Sequence, residues 1–263
     1  MSRTPEVWER RIEARWESAA GRHACRAPLW EAPGAPPHFF LGRRHAGAGS
    51  AEREAAEVSD VARRTLGGGL RAARLRQEHG VALRRVRAGD ADLSPAGDGL
   101  STDDPDLALG VQSADCLPIL LADRRRGAVA AVHAGWRGSA AGIVLRALEH
   151  LAAEYGSAAA DLDAVLGPAV GGCCYEVGDD VRQAVARGPL APLADFDPGG
   201  CGRLRLDLAR LNAAALLQAG VAPGRVQIVA ACTRCSVERL HSYRAEGSQA
   251  GRNWSLIAAP RVR

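Results

Sequence analysis

Ala114-Asp115-Cys116-Leu117-Pro118, followed after fourteen residues by His133-Ala134-Gly135-Trp136-Arg137-Gly138-Ser139, is the stretch that organises the chain. Two apolar runs, residues 117–122 and 128–133, read as strands, with Asp123-Arg124-Arg125-Arg126-Gly127 as the polar turn between them. An antiparallel hairpin centred between Arg124 and Arg125 sets Cys116 directly opposite His133. Opposed side chains on one face have Cβ atoms about 4.5–5.5 Å apart, so both reach one metal ion. Beyond Gly138 the pattern becomes helical: residues 139–155 put Ile143, Ala147, Leu148, Leu151 and Tyr155 on one side.

Upstream, residues 107–112 form a strand entering the hairpin, and residues 70–75 and 81–86 form two more around Gln77-Glu78-His79-Gly80. Residues 90–106, rich in Asp, Gly, Ser and Pro, read as a surface loop. Residues 51–66 read as a helix stopped by Gly67-Gly68-Gly69. Residues 4–21 carry Trp8, Ile12 and Trp16 at i, i+4 and i+8, the spacing of an amphipathic helix. Residues 1–30 are therefore expected to be an N-terminal helical extension, and 31–263 the main domain.

Downstream, residues 162–166 are a strand and residues 176–187 a short helix. Asp207 caps a helix that runs to Ala219, with Gly220 and Pro223 beyond it. Residues 226–231 and 254–258 are the last strands. No repeat or low-complexity linker divides the chain. Strands and helices alternate but hairpins intervene, which predicts a single α/β (α+β-like) domain of mixed β-sheets with flanking helices.

Composition excludes several chemistries. The 263 residues include no lysine, so every one of the 34 basic residues is arginine. A Walker-type phosphate lysine and any Schiff-base or pyridoxal mechanism are thereby ruled out, because each needs a primary amine. The only methionine is Met1 and no His-x-His pair exists, so the ligands of a conventional multicopper oxidase are missing. A net charge of +4 with scattered basic residues and 4% aromatics does not make the concentrated stripe of a nucleic-acid protein. No apolar run is long enough to span a membrane and the start lacks an apolar leader, so the expected location is the cytoplasm. Seven cysteines in such a chain point to thiols, metal ligands or a nucleophile rather than to disulfides.

His79, Cys116 and His133 make a three-ligand set of the catalytic-zinc type, with a fourth position left for water or substrate. The same residues also read as two core histidines and a small buried thiol. Gly135-Trp136-Arg137-Gly138-Ser139, between a strand end and a helix start, reads either as an anion seat suited to phosphate or as a glycine-rich turn with a solvent-facing arginine. Cys232-x-x-Cys235 is half a zinc site or a redox pair. No second spaced pair matches it, since Cys173 and Cys174 are adjacent, and a second zinc is not expected.

Several segments resemble one family. They are Gln77-x-His79-Gly80, Ser113-Ala114-Asp115-Cys116-Leu117-Pro118, Ala130-Ala131-Val132-His133-Ala134-Gly135-Trp136-Arg137-Gly138, and Leu166-Gly167-Pro168 with Cys174-Tyr175-Glu176-Val177-Gly178. Cys232-Thr233 followed by Ser242-Tyr243-Arg244 completes the set. The family is the laccase-domain or multicopper polyphenol oxidoreductase family, whose members are now described as purine nucleoside phosphorylases. The likeness runs from about residue 66 to residue 257.

The resemblance implies zinc on His79, Cys116 and His133. It implies phosphorolysis of adenosine, inosine, guanosine and methylthioadenosine to base and sugar 1-phosphate, with adenosine deamination alongside. On that reading Cys116, His133 and Asp115 are the catalytic residues, Asp115 orienting a ligand or accepting a substrate hydroxyl. Phosphate falls to Arg137 and the N–H groups near Gly138 and Ser139, and secondarily to Arg244. Copper in the same site would give phenol oxidation as a side activity.

The family is also similar in fold to the cytotoxic necrotising factor toxins, where a cysteine–histidine pair deamidates. That likeness keeps a cysteine hydrolase or amidase, with Cys116 as nucleophile and His133 as base, as the alternative. A non-enzymatic redox or binding protein using Cys232, Cys235 and the N-terminal helix is a third. The chain departs from the family pattern at Glu78, at Phe40-Leu41-Gly42-Arg43-Arg44-His45 and at His241. Glu78 is expected to point away from His79 along a strand. No feature sets the oligomeric state.

Overall fold

The computed structural model describes residues 11–31, 34–44, 54–67, 69–90, 93–198 and 203–261. Its strands in chain order are β1 (Arg11–Glu13), β2 (Trp16–Ala19), β3 (Arg22–Cys25), β4 (His38–Arg44), β5 (Arg71–Arg74), β6 (Leu83–Arg85), β7 (Gly99–Thr102) and β8 (Leu107–Ser113). They continue as β9 (Leu117–Asp123), β10 (Val129–Ala134), β11 (Leu162–Leu166), β12 (Glu176–Val177), β13 (Phe196–Asp197), β14 (Leu204–Leu206), β15 (Val226–Ala230) and β16 (Asn253–Ala258). The helices are α1 (Glu54–Leu66), α2 (Trp136–Ala140), α3 (Ile143–Tyr155), α4 (Asp179–Arg187), α5 (Leu208–Gln218) and α6 (Tyr243–Glu246).

Two large mixed sheets lie face to face between helical layers. One is seven-stranded in the order β1-β15-β11-β9-β10-β7-β6, and the other is six-stranded in the order β2-β3-β4-β16-β8-β5. The hairpin β9–β10 is buried on both faces, which explains its continuous apolar sequence. Because side chains alternate across a strand, Leu117, Ile119, Leu121, Ala130 and Val132 pack on α3 and α5 through Ile143, Ala147, Leu151 and Leu216. Leu120, Ala122, Val129 and Ala131 face the other way and meet Leu107, Leu109, Val111 and Ile257 of the six-stranded sheet. The far face of that second sheet carries Leu41, Trp254 and Leu256 against Val61 and Ala62 of α1. The result is a helix–sheet–sheet–helix stack, agreeing with the mixed sheets and flanking helices expected. A three-stranded sheet, β12-β14-β13, sits beside it.

Several expectations are corrected. Among residues 11–21 there is no helix: β1 pairs in parallel with β15, and β2 pairs with β3. A spacing of four suits a strand face as well as a helix face, and Ile12, Ala14 and Trp16 pack together against the inter-sheet core. Ala20 and Gly21, both at positive φ, form the two-residue turn from β2 to β3. The remainder of that expected helix, residues 4–10, lies outside the described residues.

The central hairpin keeps its partners but shifts its register, placing His133 opposite Pro118 rather than Cys116. The Asp123 side chain accepts N–H bonds from Arg125 and Arg126, and Gly127 turns at φ 71°, which moves the turn's centre. Cys116 thereby lies two residues beyond Pro118, on the same face as His133.

Residues 99–102, read as part of a surface loop, are instead the fully buried strand β7, paired with β10. The expected 139–155 helix is two helices, parted at Gly142 with φ 78°, where a Cβ would meet Pro189 at 2.6 Å. The expected 176–187 helix starts only at Asp179, because Glu176 and Val177 pair with β14.

Candidate functional site

Cys116 sits just before β9, His133 near the end of β10, and His79 in the connection between β5 and β6. The fold closes these three elements on one point: the metal-binding atoms of the three residues all lie within 4.8 Å of one another. The two imidazoles meet edge to face at a centroid distance of 4.9 Å. Gly135 borders the cluster, and a Cβ there would come within 3.0 Å of Cys116 Sγ and 3.3 Å of His79 Cδ2. A side chain at that position would intrude on the ligands.

Asp98, which the sequence reading missed, holds the cluster together. Its fully buried carboxylate accepts from His133 Nδ1–H at 2.9 Å, from the N–H of His79 at 2.9 Å, from the N–H of Gly80 at 2.7 Å and from that of Glu78 at 3.3 Å. Its own backbone carbonyl accepts from the N–H of His133 at 2.7 Å. The bond to Nδ1 fixes the His133 tautomer and leaves Nε2 as the free nitrogen, the usual arrangement of a ligating histidine. The three backbone bonds fold residues 78–80 into a bend and hold His79 at φ 61°, a conformation that a non-glycine residue keeps only when its surroundings enforce it. Glu78 is thus in a bend, not a strand as expected. Gln77 ties the bend to β8 through a pair of 2.8 Å bonds with the backbone of Gln112.

The electrostatics follow from this packing. Burial pushes the Asp98 carboxyl up, but the bonds from His133 and Gly80 outweigh it and hold the group below its usual range. Burial raises Cys116, yet hydrogen bonds and charge from His133 and His79 bring it down to about 7. Burial lowers His133, while Asp98 and Cys116 raise it to about 9. Without a metal the Cys116 thiol and the His133 imidazole each favour the other's charged form, with the Asp98 carboxylate behind the imidazole.

The cluster forms the floor of a cleft of about 760 Å³. Arg137 lies over Trp136 at 4.2 Å and Arg244 over Tyr175 at 5.0 Å, and Tyr243 is exposed at the rim. Among the described residues neither guanidinium has a carboxylate partner. Arg137 and Arg244 both line the cleft.

Ser139 does not. Its N–H donates to the Gly135 carbonyl at 2.8 Å, and its hydroxyl accepts from Asn212 in the core at 2.9 Å. Gly138 is buried, and a Cβ built on it would lie 3.0 Å from the Gly80 carbonyl oxygen, so the position is closely packed. Asp115 adjoins Cys116, but its carboxylate is engaged by Thr233 Oγ1 at 2.5 Å, Ser242 Oγ at 2.7 Å and the N–H of Arg244 at 2.6 Å. It anchors the loop that leads into α6 and the first turn of α6 itself, which carries Arg244.

The donor set fits a metal. Two imidazoles and a thiolate match the mixed ligands of a catalytic zinc site, and the Asp98–His133 bond supplies the outer partner such ligands require. A second cluster overturns the expectation that Cys232-x-x-Cys235 lacks a match. Cys173 and Cys174 meet Cys232 and Cys235, with all four sulfurs within 4.8 Å of one another.

Comparisons with known proteins agree with this architecture. The family model described as multi-copper polyphenol oxidoreductase laccase matches residues 46–260. A protein of Deinococcus radiodurans named purine nucleoside phosphorylase is 38% identical over 193 residues, covering 72% of this chain and 70% of that one. Adenosine deaminase RL5 of an unknown prokaryotic organism is 34% identical over 179 residues, or 66% of this chain and 68% of that protein. The crystal structure of YlmD from Geobacillus stearothermophilus superposes with a TM-score of 0.77 at 26% identity, covering 94% of this chain and all of that one (100%). The chain belongs to the multi-copper polyphenol oxidoreductase laccase family.

Proposed function

We propose that the chain is a zinc-dependent purine nucleoside phosphorylase that also deaminates adenosine. The observation that carries the reading is the convergence of His79, Cys116 and His133 in a cleft that Arg137, Arg244 and aromatic rings also line. The names of the Deinococcus relative and of the adenosine deaminase supply the purine substrate. Bound zinc supplies Lewis-acid polarisation of an oxygen atom, which serves phosphate in one reaction and water in the other.

The chain's own residues do the rest. Asp98 keeps the His133 ring oriented, and the Gln77 and Asp98 bonds keep His79 turned into the cleft. In phosphorolysis a phosphate oxygen bonds to the ribose C1′ while the bond from C1′ to the purine nitrogen breaks, its electron pair leaving with the base. Charge develops on the sugar, so positioning and electrostatics dominate. Arg137 and Arg244 neutralise the phosphate, and Tyr243, exposed beside the cleft, offers a ring to the purine. Asp115 acts through the loop it anchors.

The test is turnover of adenosine by metal-analysed protein, with and without phosphate. Adenine and ribose 1-phosphate are expected only with phosphate, and inosine in either case. Activity should fall with chelator and return with zinc. Absence of base release, or turnover unchanged in Cys116→Ala, overturns the proposal.

One observation favours a second reading. Cys116, His133 and Asp98 also form the nucleophile–base–orienting acid series of a cysteine hydrolase, with the thiol lowered to about 7. The two uses of Cys116 exclude each other. Activity that survives chelation but not thiol alkylation selects the hydrolase.

A further inference from the structure

We propose that Cys173, Cys174, Cys232 and Cys235 form a second, closed zinc site that is structural rather than catalytic. The Cys174 and Cys235 sulfurs lie 3.4 Å apart, the Cys173 and Cys235 sulfurs 3.8 Å apart, and the four are within 4.8 Å of one another. A tetrahedral site with Zn–S bonds of about 2.3 Å has sulfur–sulfur edges of about 3.8 Å. Disulfide sulfurs sit about 2.05 Å apart and pair two by two. Pairwise bonding gives no reason for four thiols from two loops to meet at one point.

The local backbone prepares the ligands. Cys232 forms a parallel bridge with Ala169, so the two cysteine-bearing loops leave the same edge of the sheet together. The N–H groups of Cys174 and Tyr175 both close on the Gly171 carbonyl at 2.9 Å, coiling one loop. Ser236 N–H closes on the Cys232 carbonyl at 3.0 Å and coils the other. The Gly171 N–H donates to Cys232 Sγ at 3.3 Å, the type of bond that supports a ligating thiolate. Four protein sulfurs leave no open position for substrate, which is the mark of a structural site.

The location explains what such a site would do. Tyr175 follows Cys174 directly and lies beneath the Arg244 guanidinium. Thr233 follows Cys232 directly and donates to the Asp115 carboxylate. A metal clasping the two loops would fix one wall of the cleft that holds His79, Cys116 and His133, whatever substrate that cleft takes.

The test counts zinc in protein purified under reducing conditions. The wild type should hold two zinc ions per chain, Cys116→Ser one, and Cys173→Ser/Cys235→Ser one. X-ray absorption of the zinc retained by Cys116→Ser should show four sulfurs and no nitrogen. In the wild type, titration with an organomercurial should release one zinc together with four thiols. The double cysteine variant should also unfold at a lower temperature than the wild type. Zinc content unchanged by Cys173→Ser/Cys235→Ser, a nitrogen-bearing shell in Cys116→Ser, or metal-free protein with these cysteines joined as disulfides would each overturn the proposal. The mercurial titration keeps the test decisive if Cys116→Ser fails to fold.

Discussion

Replacing Asp98 by asparagine keeps the shape of the side chain and removes half of its capacity to accept hydrogen bonds. One carboxylate oxygen receives the His133 Nδ1–H and the His79 N–H, both at 2.9 Å, and the other receives the Gly80 N–H at 2.7 Å and the Glu78 N–H at 3.3 Å. The asparagine amide can serve only one of these pairs and turns its NH₂ toward the other. Two donors are left unpaired; the His133 Nδ1–H is buried and the backbone N–H groups are part-buried, and a buried orphan costs about 1–3 kcal/mol. A loss of about 2 kcal/mol lowers the melting temperature of a domain of this size by about 4–8 °C. If the amide turns toward His133, the tautomer that presents Nε2 is no longer enforced. Loss of such an outer partner typically weakens metal binding about 10- to 100-fold.

The pH dependence of this loss has a definite sign. Asp98 titrates below its ordinary value of 3.8, so its stabilisation is complete above that value and fades as the pH falls beneath it. The gap between wild type and Asp98→Asn should therefore be full near neutrality and narrow in acid. Denaturant titrations of metal-free protein at several pH values measure the stability, and competition with a chromophoric chelator measures zinc affinity. A variant with wild-type zinc affinity and wild-type stability at neutral pH would refute the role given to Asp98.

Two further outcomes are expected. On the proposed function Arg137→Ala removes a phosphate-holding guanidinium; hydrogen bonds to charged groups are worth about 1.5–3 kcal/mol, so the KM for phosphate should rise about 10-fold or more while zinc content stays unchanged. Steady-state kinetics at varied phosphate with metal analysis checks both halves. In metal-free protein Cys116, lowered to about 7, should alkylate at a rate that climbs through neutral pH as thiolate forms, whereas Cys25, pushed up to about 12 by burial and the charge of Glu17, should stay unreactive at pH 8. Peptide mapping by mass spectrometry after timed alkylation separates the two, and added zinc should protect Cys116.

The fold was legible where one physical signal dominated. The β9–β10 strands stood out because both faces are buried, so their apolar runs are unbroken. The α5 start stood out because Asp207 caps it, accepting from the Arg210 N–H at 2.9 Å. Residues 11–16 misled because Ile12 and Trp16, four positions apart, share a face in either conformation, and only the partner strand β15 decides between them. Strand β7 was invisible for the opposite reason. Gly99, Ser101 and Thr102 look like loop residues, yet Ser101 is fully buried, with its hydroxyl engaged by His150 at 2.7 Å and Tyr155 at 3.0 Å.

The site shows the same division between what residues announce and what only the fold assembles. His79, Cys116 and His133 were nameable because thiols and imidazoles are the natural ligands of a soft-to-borderline metal, and a register error in the hairpin did not remove them. A shift that leaves Cys116 two residues from its expected partner preserves the face, because strand side chains repeat with a period of two. A shift of one residue would have turned the thiol into the opposite core. Asp98 offered no such signal. An aspartate before a glycine reads as a turn, and its importance depends on β7 lying beside β10, which brings its carboxylate to a histidine 35 positions away. The paired cysteines were missed for the same reason. Adjacent thiols and a Cys-x-x-Cys separated by 61 positions have no recognisable spacing, and the Ala169–Cys232 bridge alone makes them neighbours. Ligand identity is written in local sequence, whereas the groups that orient ligands are chosen by strand order. Asp98's place is set by which strand borders the hairpin that carries His133.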